Sequence, residues 1–105
     1  MNNKMLLEIM NKLLEKNFSD LFVKTILFGS RTDGTAREYS DYDVLVIVNK
    51  TVNWEIKDSI RSVLYDLNIE LDILLSVQVI SEPELETIAG KQSFIRNAIE
   101  TGIAV

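Results

Sequence analysis

Met5, Leu6, Ile9, Met10, Leu13 and Leu14 recur at a spacing that puts apolar side chains on one face of each helical turn. The spacing predicts an amphipathic helix over 3–16, with Asn2 or Asn3 as its cap. Leu21 to Phe28 is a short, mostly apolar run that ends at Gly29, the pattern of a buried strand. The polar stretch GSRTDGTAREYSD follows and reads as a loop around a short helix. A loop this polar between two buried strands is a natural place for function. Asp41 to Val48 opens with polar or amphipathic residues and closes with five aliphatic ones, a second strand. Ile56, Ile60, Val63, Leu64 and Leu67 mark a helix over about 52–68, started by Thr51 or Asn53. Ile69 to Val77 is expected to be a third strand, interrupted by Asp72. Ser81 and Glu84 form a capping-box pattern around Pro83, so a short helix should run from there toward Gly90. Phe94, Ile95, Ala98 and Ile99 mark a last helix that stops near Gly102.

Helices alternating with short apolar strands predict an α/β domain around a small sheet at least three strands wide. At 105 residues with 47% hydrophobic composition, the expectation is one domain over 1–105. The first and last helices carry more apolar surface than such a sheet obviously needs. Most should be core, and any remainder would be an oligomer or partner surface.

Eleven Lys and Arg stand against sixteen Asp and Glu, for a formal charge of −5. This disfavours direct nucleic-acid binding and attraction to anionic lipid. The absence of Cys excludes disulfides and thiolate chemistry, and the absence of His removes the commonest proton shuttle. No apolar run approaches a membrane span of about 20 residues. Glu8 and Glu15 inside the N-terminal pattern argue against a signal peptide. A cytoplasmic location is expected.

Asp41 and Asp43 are two positions apart on a strand, so both side chains leave the same face. Asp72 is a third carboxylate inside an apolar stretch. Gathering like charges at the edge of a core is unfavourable, and a hard cation such as Mg²⁺ removes the conflict. Upstream, Gly29 and Ser30 form a strand-to-helix turn whose backbone amides suit an anion. A P-loop is excluded because GSRTDGT lacks the terminal Lys. An EF-hand is excluded because Asp43 runs into Val44, Leu45 and Val46. Aspartate-nucleophile phosphatases place the acids after the apolar strand, whereas here they open it.

Gly29 and Ser30, ten further residues, Asp41, Tyr42, Asp43 and a later lone Asp72 resemble the nucleotidyltransferase superfamily of the DNA polymerase β type. The form of the motif is that of the minimal nucleotidyltransferases, and Arg31 and Ser40 also resemble the family's choices. The resemblance implies a mixed sheet flanked by helices. It implies two Mg²⁺ ions held with a nucleoside triphosphate by Asp41, Asp43 and Asp72. Asp41 and Asp43 would bridge the ions, while Asp72 would orient the acceptor and take its proton. Gly29 and Ser30 would grip the terminal phosphates. Arg31 is either a helper in that grip or a solvated surface charge.

The resemblance further implies transfer of a nucleoside monophosphate, AMP from ATP, to a hydroxyl on a partner. In small members of the group the partner is a HEPN-type RNase toxin silenced by its antitoxin. Two alternatives stay open: an antitoxin that only masks its toxin, and a small-molecule nucleotidyltransferase acting as a homodimer. Trp54, Tyr39, Tyr42 and Tyr65 are read as core or helix-surface residues rather than base-stacking ones.

Overall fold

Helix α1 (Asn3–Asn17) starts where the Asn2 side-chain oxygen accepts the Met5 backbone N–H at 2.8 Å. This satisfies one of the donors that a helix start leaves unpaired. The computed structural model describes residues 2–34, 40–87 and 89–105. Three strands form one sheet in the order β1-β2-β3: β1 (Phe22–Phe28), β2 (Tyr42–Val48) and β3 (Leu75–Ser81). β1 runs antiparallel to β2, and β2 runs parallel to β3. The parallel pair needs a long crossover, supplied by α3 (Trp54–Glu70), which Asn53 caps through the Ile56 N–H at 3.0 Å. The short helix α2 (Ser30–Asp33) follows β1.

The central strand is covered on both faces, which is why Val44 to Val48 form one unbroken aliphatic run. On one face Leu27, Val44, Val46, Val48, Val77 and Val79 pack against Leu6, Leu7, Met10 and Leu14 of α1 and Ile60, Leu64 and Leu67 of α3. On the other, Ile26, Phe28, Leu45, Ile47 and Ile80 pack against Ile95 and Ala98 of α5 (Ser93–Thr101). Leu85 of α4 (Glu82–Leu85) joins this second cluster. After α5 ends, Ile103 exchanges two backbone hydrogen bonds with Leu27, at 2.8 and 2.7 Å, along the outer edge of β1.

The third strand departs from expectation. Helix α3 continues to Glu70, and Asp72 adopts a left-handed turn with φ 53°. Asn68 holds that turn: its carbonyl accepts the Ile73 N–H, and its side-chain oxygen accepts the Leu75 N–H at 3.0 Å. The strand is therefore Leu75–Ser81, not 69–77, and Asp72 precedes it. The apolar run Ile69 to Leu74 suggested a strand, yet Ile69 is 88% exposed and Leu74 55%. The informative signal was the period-2 alternation of Leu75, Val77 and Val79 with Ser76 and Gln78.

The first helix buries most of its apolar stripe, including Leu7, which the sequence pattern did not single out. Met5 on α1 and Phe94 and Ile99 on α5 stay partly exposed. Trp54 lies exposed at the start of α3, Tyr65 on its surface and Tyr42 in the core, while Tyr39 lies outside the described residues.

The junction of β3 and α4 is a complete capping box. Ser81 Oγ accepts the Glu84 N–H at 3.3 Å, and Glu84 Oε1 accepts from the Ser81 N–H at 3.1 Å and hydroxyl at 2.8 Å. Burial alone would raise the Glu84 carboxyl, but the Ser81 hydrogen bonds and the Lys57 ammonium outweigh it and hold it below its ordinary value. Ser81→Ala is expected to destabilise the protein by about 1 kcal/mol, roughly 5 °C in the melting temperature. A carboxyl lowered on folding stabilises above its unfolded pKa, and that contribution is lost as the pH falls through the folded value. Thermal melts should accordingly show the gap between wild type and Glu84→Gln closing in acid.

Candidate functional site

The site forms where β1 ends and β2 begins. The antiparallel register pairs Phe28 with Asp43, so the chain leaving β1 at Gly29 passes directly over the Asp43 side chain. Gly29 has φ 81° and ψ −155°, backbone geometry essentially reserved for glycine. A Cβ placed there would overlap Asp43 Oδ2 and lie 3.1 Å from its Cγ. The missing side chain thus makes the cradle in which the Asp43 carboxylate sits. Thr32 braces the turn, its N–H and hydroxyl both donating to the Gly29 carbonyl at 3.0 and 2.8 Å.

Asp43 is half-buried on the face it shares with Leu45 and Ile47, and Asp41, just before β2, is exposed. Burial raises the Asp43 carboxyl above its ordinary value, and the negative charge of Asp41 raises it further. Two neighbouring carboxylates, one partly withdrawn from water, are a donor set that a hard divalent cation with phosphate oxygens and waters would neutralise. The pair and the open cradle fit such a cation.

Arg31 is a tie across the loop. Its Nε and Nη2 donate to the Ser40 carbonyl at 3.0 and 2.8 Å, and its guanidinium lies 4.6 Å from the centroid of the Tyr42 ring. Asn3 Nδ2 of α1 donates to the Arg31 carbonyl at 3.1 Å. The side chain therefore braces the approach to Asp41 and is not a solvated surface charge.

The fold brings together Gly29, Ser30, Asp41 and Asp43, with Arg31 alongside. Asp72 is exposed in its turn, and among the described residues no group of three or more His, Cys, Asp or Glu is arranged to hold a metal. Asp72 thus lies in the turn that precedes β3 and not on the strand where it was expected. Ser76 is the position that sequence reasoning missed. It pairs with Asp43 in the parallel ladder, and its signal was the alternation of β3.

Residues 6–105 match the family described as "Polymerase beta, Nucleotidyltransferase". A Methanocaldococcus jannaschii protein, provisionally named a protein adenylyltransferase, is 50% identical over 50 residues, 45% of this chain and 34% of the relative. The match thus spans about a third of that relative's length. A toxin–antitoxin structure with AMP-PNP superposes with a TM-score of 0.62 at 22% identity, covering 98% of this chain and 72% of that one. A MntA–HpeT toxin–antitoxin structure, a double aspartate-to-glutamate mutant, gives 0.60 at 21% identity, covering 92% and 69%. At these identities the likeness is one of fold.

Gly29→Ala is expected to cost about 1–3 kcal/mol through backbone strain and to displace the Asp43 carboxylate. A lower melting temperature, with the Asp43 carboxylate displaced in a structure of the variant, would show both effects. A second expectation concerns the metal-free protein in chelator. A carboxyl raised on folding makes stability fall as the pH rises through the interval between its unfolded and folded values. Asp43→Asn should therefore be more stable than wild type at neutral pH, with the advantage vanishing below the unfolded carboxylate range, as followed by melts across that interval.

Proposed function

The chain belongs to the polymerase β nucleotidyltransferase family and has its fold, and from that premise we propose that it transfers AMP from ATP to a hydroxyl of a partner protein. We infer that the partner is a HEPN-type RNase toxin and that this chain is its antitoxin. One observation carries the reading: Asp43, near the start of β2 and next to Asp41, lies directly beneath the glycine turn that ends β1. The name of the M. jannaschii relative and the toxin–antitoxin complexes of the same fold support the acceptor and partner classes.

Asp41 and Asp43 would hold Mg²⁺. When bound, Mg²⁺ supplies charge neutralisation for the triphosphate and lowers the cost of developing negative charge on oxygen. The backbone at Gly29 and Ser30, freed of a side chain on the glycine, grips the terminal phosphates. Arg31 fixes Ser40 and so the position from which Asp41 approaches. These groups hold the α-phosphorus open to in-line attack. The acceptor oxygen forms a bond to phosphorus, the bridge to the β-phosphate breaks, pyrophosphate leaves, and the hydroxyl proton passes to solvent. Positioning and charge neutralisation dominate such a reaction, so a chain without His can perform it. Asp72, lying outside the gathered pair, has no part in this reading.

Mg²⁺ together with ATP should raise the melting temperature more than the separate effects combined, and Asp43→Asn should abolish that synergy. Incubation with Mg²⁺, ATP and a HEPN-type toxin, taken from the neighbouring gene where that gene encodes one, should add one or more adenylate units to the toxin, read by intact mass. Asp41→Asn and Asp43→Asn should each prevent the addition. An unmodified partner inhibited equally by wild type and both variants would establish masking as the mechanism and sink the transferase assignment.

A further inference from the structure

The parallel ladder places Ser76 level with Asp43, and paired residues of neighbouring strands, about 4.8 Å apart, project from the same face. That face is closed by α5 over Leu45, Ile47 and Ile80, and Phe28 of β1, level with Asp43, belongs to the same apolar cluster, while on β2 and β3 the cluster does not include Asp43 or Ser76. Ser76 is half-buried, and among the described residues its hydroxyl makes no hydrogen bond. A half-buried hydroxyl with no protein hydrogen bond can serve water or a ligand.

Asp72 is poorly placed to substitute for it. Bringing Asp72 level with Asp43 would require a slip of four residues, breaking the whole β2–β3 register and both hydrogen bonds through which Asn68 holds the turn.

We propose that Ser76, and not Asp72, is the β3 side chain that completes the site beside Asp41 and Asp43. The centre then has two carboxylates and one hydroxyl. This deepens the proposed function and rests on it. Two carboxylates repel each other less than three in the metal-free protein, and they hold a bare divalent cation more weakly. The triphosphate oxygens must supply the remaining negative charge, so the cation is retained mainly in company with the nucleotide.

The test measures binding by the full chain of Mn²⁺ alone and of Mg²⁺ with AMP-PNP, by calorimetry and by melting. Ser76→Asp should tighten Mn²⁺ binding in the absence of nucleotide by about tenfold, and Ser76→Ala should weaken Mg²⁺–AMP-PNP binding by roughly three- to tenfold. Asp72→Asn, in which Asn tolerates the left-handed turn, should change both by less than about twofold. Should Ser76→Asp fail to fold, Ser76→Ala and Asp72→Asn decide between the residues.

Wild type that binds Mg²⁺–AMP-PNP, with Asp72→Asn losing that binding and Ser76→Ala retaining it, overturns the Ser76 assignment and leaves the nucleotidyltransferase reading standing. Wild type that binds neither the metal nor the metal–nucleotide complex overturns both.

Discussion

The contact on which the site depends is the close approach of the Gly29 backbone to the Asp43 carboxylate. Antiparallel pairing of β1 with β2 sets it, because Phe28 opposite Asp43 commits the next residue to pass over that side chain. Any Cβ at this point would expel the carboxylate or break the turn. The glycine and the aspartate, fourteen positions apart in the chain, are consequently one structural unit. Arg31 and Thr32 hold the turn from its far side, through Ser40 and the Gly29 carbonyl.

Unequal coverage of the sheet's two faces decides where charge can sit. Helices α1 and α3 lie over one face, where the buried strand side chains are apolar except for Thr25 and Ser81. Helix α5 and Leu85 cover the other, over Ile26, Phe28, Leu45, Ile47 and Ile80. At the N-terminal ends of β2 and β3, Asp43 and Ser76 remain half-buried and Asp41 is exposed. Partial burial raises the Asp43 carboxyl and makes a positive ligand favourable, while partial exposure leaves that ligand a way in.

Both edges of the three-stranded sheet are also engaged at particular residues, which reduces the pairing groups left open there. On the β1 side, Ile103 pairs with Leu27. On the β3 side, Arg61 Nε donates to the Val77 carbonyl at 3.2 Å and the Tyr65 hydroxyl accepts the Val77 N–H at 3.4 Å. Two side chains of α3 thereby substitute for a neighbouring strand, and they tie the crossover helix to the strand it delivers.

Much of this was legible in the chain itself. Helical spacing of Leu6, Met10 and Leu14, the Asn caps, the Ser81–Glu84 box and the aliphatic run of β2 are local patterns, and local backbone physics decides them. That Gly29 and Ser30 would lie close to Asp43 was equally readable, because the glycine turn ends one strand and the acids open the next. Register was not readable. The apolar residues between Ile69 and Leu74 suit a helix end, a turn or a strand alike, and the choice fell to Asn68 and to the β2–β3 ladder, which are long-range or side-chain-to-backbone bonds. The same ladder decided which β3 residue faces Asp43. A carboxylate in the sequence announces its chemistry, but only strand pairing determines what stands level with it, and here that pairing sets Ser76 level with Asp43 and leaves Asp72 in the turn before β3.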